Sequence, residues 1–498
     1  MIRQGSGRVR STRGGGAVAS ARAILDGLAP DGGLYAPEYF PYVPRDEIER
    51  LAGLDYPERA ASILKPLLPT FGADELAEAV NRAYSRFGGP DAAPLRELSG
   101  GSYLLELYHG PTLAFKDFAL QLLPSLMDQS ARLEGDSSKR LILVATSGDT
   151  GKAALEAFAD QPDTRIIVFY PEDGVSEAQR LQMVTQRGAN THAVAARGNF
   201  DDAQTGVKGL FASAEFRQSM RGRGYILTSA NSINYGRLVP QIVYYFSAYA
   251  DLIGRGAVRL GQPVHFCVPT GNFGNILAAD CARRMGLPIG KLICASNRNH
   301  ALADFIESGT YDTRREFYVT TSPAMDILIS SNLERFLYEL TGRDSGRVSD
   351  WMVALKNDGA FSLDDTERAA FRTRMLAGWT DEENSRKAIA RVWRDCHVLI
   401  DPHTAVGADV LERVRPDDGN PVVLVSTASP FKFGMDVAKA ILPDVPEGAS
   451  DFDCCRMIAE ATGIPVPPSI AELPGLAVRH AGRCEPEGMA DVVESLVG

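Results

Sequence analysis

The chain is 498 residues long, 45% hydrophobic and 23% charged, with a formal net charge of -11 at pH 7. That length exceeds one ordinary hydrophobic core and implies two or three domains, and the composition is that of a soluble globular protein. The negative charge argues against a nucleic-acid surface, and apolar runs of no more than about seven residues are too short to span a bilayer.

Residues 1–95 carry helical patterns at 18–28, 45–60 and 73–87, broken by turns such as PDGGLYAPEYFP. Nothing there has catalytic spacing, so the segment reads as a packing domain. The opening MIRQGSGRVRSTRGGG is basic and Gly-rich but lacks the apolar core of a secretory signal. The seven cysteines include no C-x-x-C pair and fit reduced thiols. The seven histidines have no metal-ligand spacing. A cytoplasmic protein is expected, with no metal, membrane or nucleic-acid partner.

The segment HGPTLAFKDFALQL (109–122) places Lys116 between Phe115 and Phe118 at the start of a helix. Burial disfavours an ammonium and can make the amine a nucleophile for carbonyl groups. A surface lysine whose stem lies along apolar neighbours is the plainer alternative.

From residue 139 short apolar runs alternate with amphipathic helices: 141–146, 165–171, 191–196 and 225–230, then 264–269, 291–296, 398–402 and 422–428. Runs that are apolar throughout and separated by helices indicate parallel sheets covered on both faces. Two lobes, each with its own sheet, are predicted. Residues 314–395 read as a mostly helical insertion.

Four strand-to-helix junctions carry polar or glycine-rich turns. ATSGDTGKAA (145–154) would leave free N–H groups for an anion, although Asp149 or Thr150 serving as an ordinary N-cap explains it as well. SANSINYGRLVPQ (229–241) sets Ser232, Asn234 and Arg237 at a helix opening, a clamp for phosphate or carboxylate unless Arg237 is a surface ion pair. VPTGNFGNIL (268–277) offers the amides of 271–275 as a phosphate cradle, with spacing that fits neither G-x-G-x-x-G nor the Walker pattern. VLVSTASPFKF (423–433) ends a strand in hydroxyls, where Thr427 would meet a ring heteroatom. A buried amine, two anion cradles and a hydroxyl for a ring nitrogen together describe a site for pyridoxal phosphate.

At this point the chain resembles threonine synthase, a fold-type II pyridoxal-phosphate enzyme, over nearly its whole length. The resemblance rests on HGPTLAFKDFALQLL, TSGDTGKAA, RGNFDDAQ, NSINYGR, VPTGNFGN, SPAMDILISSNLER and IDPHTAVG. It implies an α/β fold with the two-lobed, tryptophan synthase beta-like architecture, an N-terminal helical or mixed domain and a helical insertion. The implied division is 1–95 for the N-terminal domain, 96–135 with 241–445 for the large cofactor lobe, 136–240 for the small substrate lobe and 446–498 for a C-terminal extension.

The resemblance also implies residue roles. Lys116 would attach the cofactor covalently and then move protons. Gly271, Asn272, Phe273, Gly274 and Asn275 would hold the cofactor phosphate, and Thr427 would face the pyridine nitrogen. Ser147, Asp149 and Thr150 would lie against the substrate carboxylate and the cofactor. Ser232, Asn234 and Arg237 would take the substrate's phosphate. Related dehydratases carry Asn where this chain has Asp149. The implied reaction converts O-phospho-L-homoserine and water to L-threonine and phosphate. A threonine synthase-like phospholyase giving 2-oxobutyrate is the alternative. A monomer or weak homodimer is expected.

Overall fold

The computed structural model describes every residue except Met1, Arg3, Gln4, Pro90, Ser147, Asp173 and Gly174, and the side chain of Asp201. Two open sheets organise it. The larger has six strands in the order Met375–Trp379, Ile289–Ser296, Val264–Pro269, Val422–Ser426, Ser102–Glu106 and Leu95–Glu97. All its pairings are parallel except the last, which is antiparallel. The smaller has five parallel strands in the order Gly482–Cys484, Thr191–Ala196, Thr164–Pro171, Lys139–Ala145 and Tyr225–Thr228.

Both faces of the small sheet are covered. Along Lys139–Ala145, Ile142 and Val144 join the main core, whereas Leu141, Leu143 and Ala145 pack in a second cluster with Val207, Phe216 and Val493. This two-sided burial is why the strand reads as a continuous apolar run rather than an alternating one.

Three expectations need correction. The run 398–402 is not a strand: Val398, Leu399 and Ile400 are buried, but Asp401 accepts from His403 N and Thr404 N and caps the helix Pro402–Val414. Short apolar runs do not by themselves distinguish strands from buried lead-ins. Residues 314–395 are more than a helical insertion, because Met375–Trp379 is an edge strand of the large sheet. The pattern at 45–60 divides into Arg45–Leu51 and Tyr56–Leu67, the second started by a capping box between Asp55 and Glu58.

The N-terminal segment also forms a three-stranded antiparallel sheet of Arg8–Ser11, Ala17–Ala19 and Tyr35–Pro37. The C-terminal extension returns to the small sheet, adding Gly482–Cys484 to its edge and covering one face with Met489–Val497. Among the described residues no helix is long and apolar enough to cross a membrane, and no group of three or more His, Cys, Asp or Glu could hold a metal ion.

Candidate active site

The carboxyl ends of strands from both sheets converge on one cavity of about 940 Å³, the position at which open α/β sheets bind ligands. Its wall includes Lys116, Asp149, Thr150, Ser232, Arg237, Thr427 and all five residues from Gly271 to Asn275. These groups come from five separate sequence motifs, and folding brings them together. Ser147 lies outside the described residues.

Lys116 follows the strand Ser102–Glu106, next to the sheet edge, through a loop held against the end of the neighbouring strand Val422–Ser426. Phe115 N–H donates to Thr427 O at 2.9 Å, Ser429 N–H donates to Leu113 O at 3.0 Å, and Ala114 bridges Ala428. Leu113 sits in the left-handed region at φ 60°, uncommon outside glycine. The two aromatic neighbours divide their work. Phe118 packs with Tyr56, Phe87 and Tyr244, while the Phe115 ring lies 4.7 Å from Lys116 Nζ. The Lys116 side chain is only 12% exposed. Burial lowers its pKa; Asp149 opposes that shift, and Lys432 and Arg237 reinforce it.

Asp149 opens the helix Asp149–Phe158. Its Oδ2 lies 3.7 Å from Lys116 Nζ. Its Oδ1 accepts from Lys432 Nζ at 2.6 Å and from Gln179 Nε2 at 2.9 Å. Burial alone would raise the Asp149 pKa, but Lys432, Lys116 and His403 together hold it well below the usual carboxylate range. Gly148 just before it has φ 134°, and a Cβ there would meet the Gln179 amide at 2.6 Å. Sequence reasoning missed Lys432. It stands in the noted SPFKF run, but no local spacing reveals that its ammonium meets a carboxylate on the other sheet's helix.

The turn after Val264–Pro269 opens the helix Gly274–Arg284, with Phe273 at φ 62° in its N-cap position. The first amides of a helix have no intrahelical acceptor. Asn275 Oδ1 accepts from Tyr244 Oη at 2.5 Å and Tyr245 Oη at 2.7 Å, which leaves Nδ2 buried without a partner. A second strip, 330–335, shapes this turn from outside. Ser330 Oγ donates to Gly271 O at 2.5 Å, and Asn332 N–H and Nδ2 both donate to Asn272 O at 3.1 Å.

The helix Tyr235–Gly254 carries Arg237 in its first turn. Arg237 is 2% exposed. Its Nη1 donates to Ala230 O at 2.6 Å, its Nε is buried without a partner, and burial lowers its pKa to about 10. No acidic side chain forms an ion pair with it among the described residues, so the surface-ion-pair alternative does not apply. Asn234 departs from expectation. Its Oδ1 caps Gly236 N at 2.8 Å, and its Nδ2 donates to Ile24 O and Ser229 O. The side chain is consumed in fixing the helix start and does not line the cavity.

Two further groups were not legible in the sequence. His403 lines the cavity; its Nε2 accepts from Ala324 N–H at 3.1 Å, so Nδ1–H faces Asp401 Oδ2 at 2.6 Å. The N-terminal segment, expected only to pack, supplies a wall through Leu25, Asp26 and Ala29. Backbone carbonyls of this segment accept from residues around the site: Thr228 Oγ1 donates to Leu25 O, and Arg335 Nε donates to Tyr35 O.

The chain is similar to known proteins over most of its length. A family model described as the threonine synthase N terminus matches residues 8–84, and one for pyridoxal-phosphate dependent enzymes matches residues 91–363. Threonine synthase from Pseudomonas aeruginosa is 39% identical over 470 residues, covering 93% of this chain and 96% of that protein. Human threonine synthase-like 1 is 41% identical over 432 residues, 84% of this chain; the chain spans 58% of the length of that relative. The crystal structure of PLP-bound threonine synthase from Brucella melitensis superposes with a TM-score of 0.87 at 37% identity, covering 98% of each chain. The chain belongs to the threonine synthase family of pyridoxal-phosphate-dependent enzymes.

Proposed function

We propose that the chain converts O-phospho-L-homoserine and water to L-threonine and phosphate. The observation that carries this reading is Arg237: a buried guanidinium, without an acidic partner among the described residues and with Nε unsatisfied, on the wall of the cavity that holds Lys116. A buried, unpaired cation of this kind is costly, and a doubly charged phosphate on the substrate is the partner that removes the cost.

The residues present also fit pyridoxal phosphate. The turn at 271–273, the first helical amides after it and the orphaned Nδ2 of Asn275 suit a phosphate. Thr427 supplies a neutral hydroxyl for the ring nitrogen, and Lys116 supplies the amine that reacts with the aldehyde. When bound, the cofactor supplies an electron sink for carbanion chemistry at the substrate's α-carbon. Lys116 Nζ takes the α-proton and later returns one. Ser232 and Arg237 bind the substrate's phosphate and orient it as the leaving group. Thr150 and the adjoining N–H groups bind the carboxylate, with Asp149 beside Lys116.

Product analysis with O-phosphohomoserine tests the reading. Equal amounts of threonine and phosphate are expected. Phosphate with 2-oxobutyrate would identify a phospholyase instead, and no phosphate release would remove the substrate assignment.

A further inference from the structure

Lys432 is a motif residue that the reaction as described leaves without a task. Its side chain is 0% exposed. Its Nζ meets Asp149 Oδ1 at 2.6 Å and donates to Thr112 O at 3.0 Å. Lys432 follows the large-sheet strand Val422–Ser426, whereas Asp149 opens a helix that follows the small-sheet strand Lys139–Ala145. The pair therefore joins the two sheets' layers beside the cavity, and Ser176 Oγ donating to Lys432 O adds a second link. Because Lys432 and Gln179 both take Oδ1, Oδ2 is left for Lys116.

The three groups form a line: ammonium, carboxylate, amine. With Lys116 neutral, the buried line carries no net charge. With Lys116 protonated it carries one positive charge, and Arg237 lies close enough to oppose it. Without Lys432, the lone Asp149 carboxylate would draw a proton onto Lys116, since a buried carboxylate demands a cation. The other titratable groups facing this line are His403, which acts on Asp149, and Asp117 and Lys152, on both of which Lys432 acts.

We propose that Lys432 is a positioning residue: it anchors the Asp149 carboxylate across the two layers and, by neutralising it, keeps the Lys116 amine free of its proton. This rests on the reading of Lys116 as the reactive amine, but not on which substrate is turned over.

The test titrates Lys116 in the full chain freed of cofactor, by the pH dependence of its reaction with a small amine-directed reagent, followed on the peptide that contains it. Lys432→Met is expected to raise the midpoint by about one pH unit or more, the scale of a charge removed within ~4–6 Å. Asp149→Asn is expected to lower it, and the double variant to return it towards the parent. The double variant compared with Asp149→Asn reads Lys432 even if the unpaired Asp149 of Lys432→Met prevents folding. A midpoint unmoved or lowered on removing Lys432 in either comparison overturns the proposal. A purely structural role would change stability and leave the midpoint in place. Failure of the substrate reading would show only in product analysis.

Discussion

Lys116 and Arg237 are both basic side chains withdrawn from water, and their surroundings use them differently. Lys116 can shed its charge and has a carboxylate 3.7 Å away to modulate that choice, whereas Arg237 retains its charge and waits for an anion. Lys116→Ala is expected to abolish turnover and the visible absorbance of bound cofactor; an unchanged spectrum would mean that another lysine holds it. Arg237→Ala removes at least one charge-assisted bond, worth roughly 1.5–3 kcal/mol, so substrate affinity should fall ~10–150-fold while cofactor affinity stays level. Inorganic phosphate should compete with substrate in the parent and compete less in the variant; equal inhibition of both would place the phosphate elsewhere. Asp117 is a third buried ion. Burial raises its carboxyl to about 6, although Thr112 N–H and Oγ–H both donate to it. An unfolded carboxyl titrates near ~3.9, so the folded state binds this proton more tightly, and the cost of ionising Asp117 is relieved as pH falls through 6. Urea unfolding should show the parent gaining on Asp117→Asn between pH 7 and pH 5. A constant difference would mean that Asp117 stays ionised.

At the scale of elements, the sequence was informative where a function is built from neighbours and silent where it is built from distant contacts. The turn at 271–275, the helix start at Arg237 and the Lys116 segment each hold their proposed chemistry within a few residues, so local sequence raises them as candidates. Arg335 is different. It is 1% exposed and donates to Tyr35 O, Asn332 Oδ1 and Ile233 O, joining the N-terminal sheet, the strip at 330–335 and the anion clamp. Its first partner is 300 positions away, and no periodicity encodes such a contact. The strand Ser102–Glu106 was hidden for another reason: its ends are polar and it precedes the regular alternation, although it lies inside the large sheet. Gly271 tests how tightly these elements fit. A Cβ there would sit 2.5 Å from Ala324 O, a backbone atom that cannot step aside cheaply. Gly271→Ala should therefore weaken cofactor binding at least ~10-fold, equivalent to about 1.4 kcal/mol, with little change in unfolding temperature. Unaltered cofactor affinity would show that the 322–332 segment yields.

The whole molecule is organised by two large sheets whose strand ends face one cavity, closed on a third side by the N-terminal segment. The small-sheet layer contributes Asp149 and Thr150, and the crossing from Tyr225–Thr228 to the helix Tyr235–Gly254 contributes Ser232 and Arg237. The large-sheet layer contributes Lys116, Thr427 and the turn at 271–275. A substrate joined to a cofactor on the large-sheet side, and held at its carboxylate and phosphate from the small-sheet side, would touch both layers. Its two charged ends would draw them together and keep stray water from the carbanion, which early protonation would divert to the wrong product. The Asp149–Lys432 pair already spans the layers, so closure would tighten an existing contact rather than build a new one. We expect a phosphonate analogue of the substrate to slow hydrogen exchange at 148–152 and 229–237 in the cofactor-loaded enzyme. Cofactor alone should protect 271–275 and leave those two segments comparatively open. Small-angle scattering should report a smaller radius of gyration with the analogue than with cofactor alone. If the analogue binds tightly yet alters exchange only around 271–275, the two layers are already in their working positions and the closing motion does not occur.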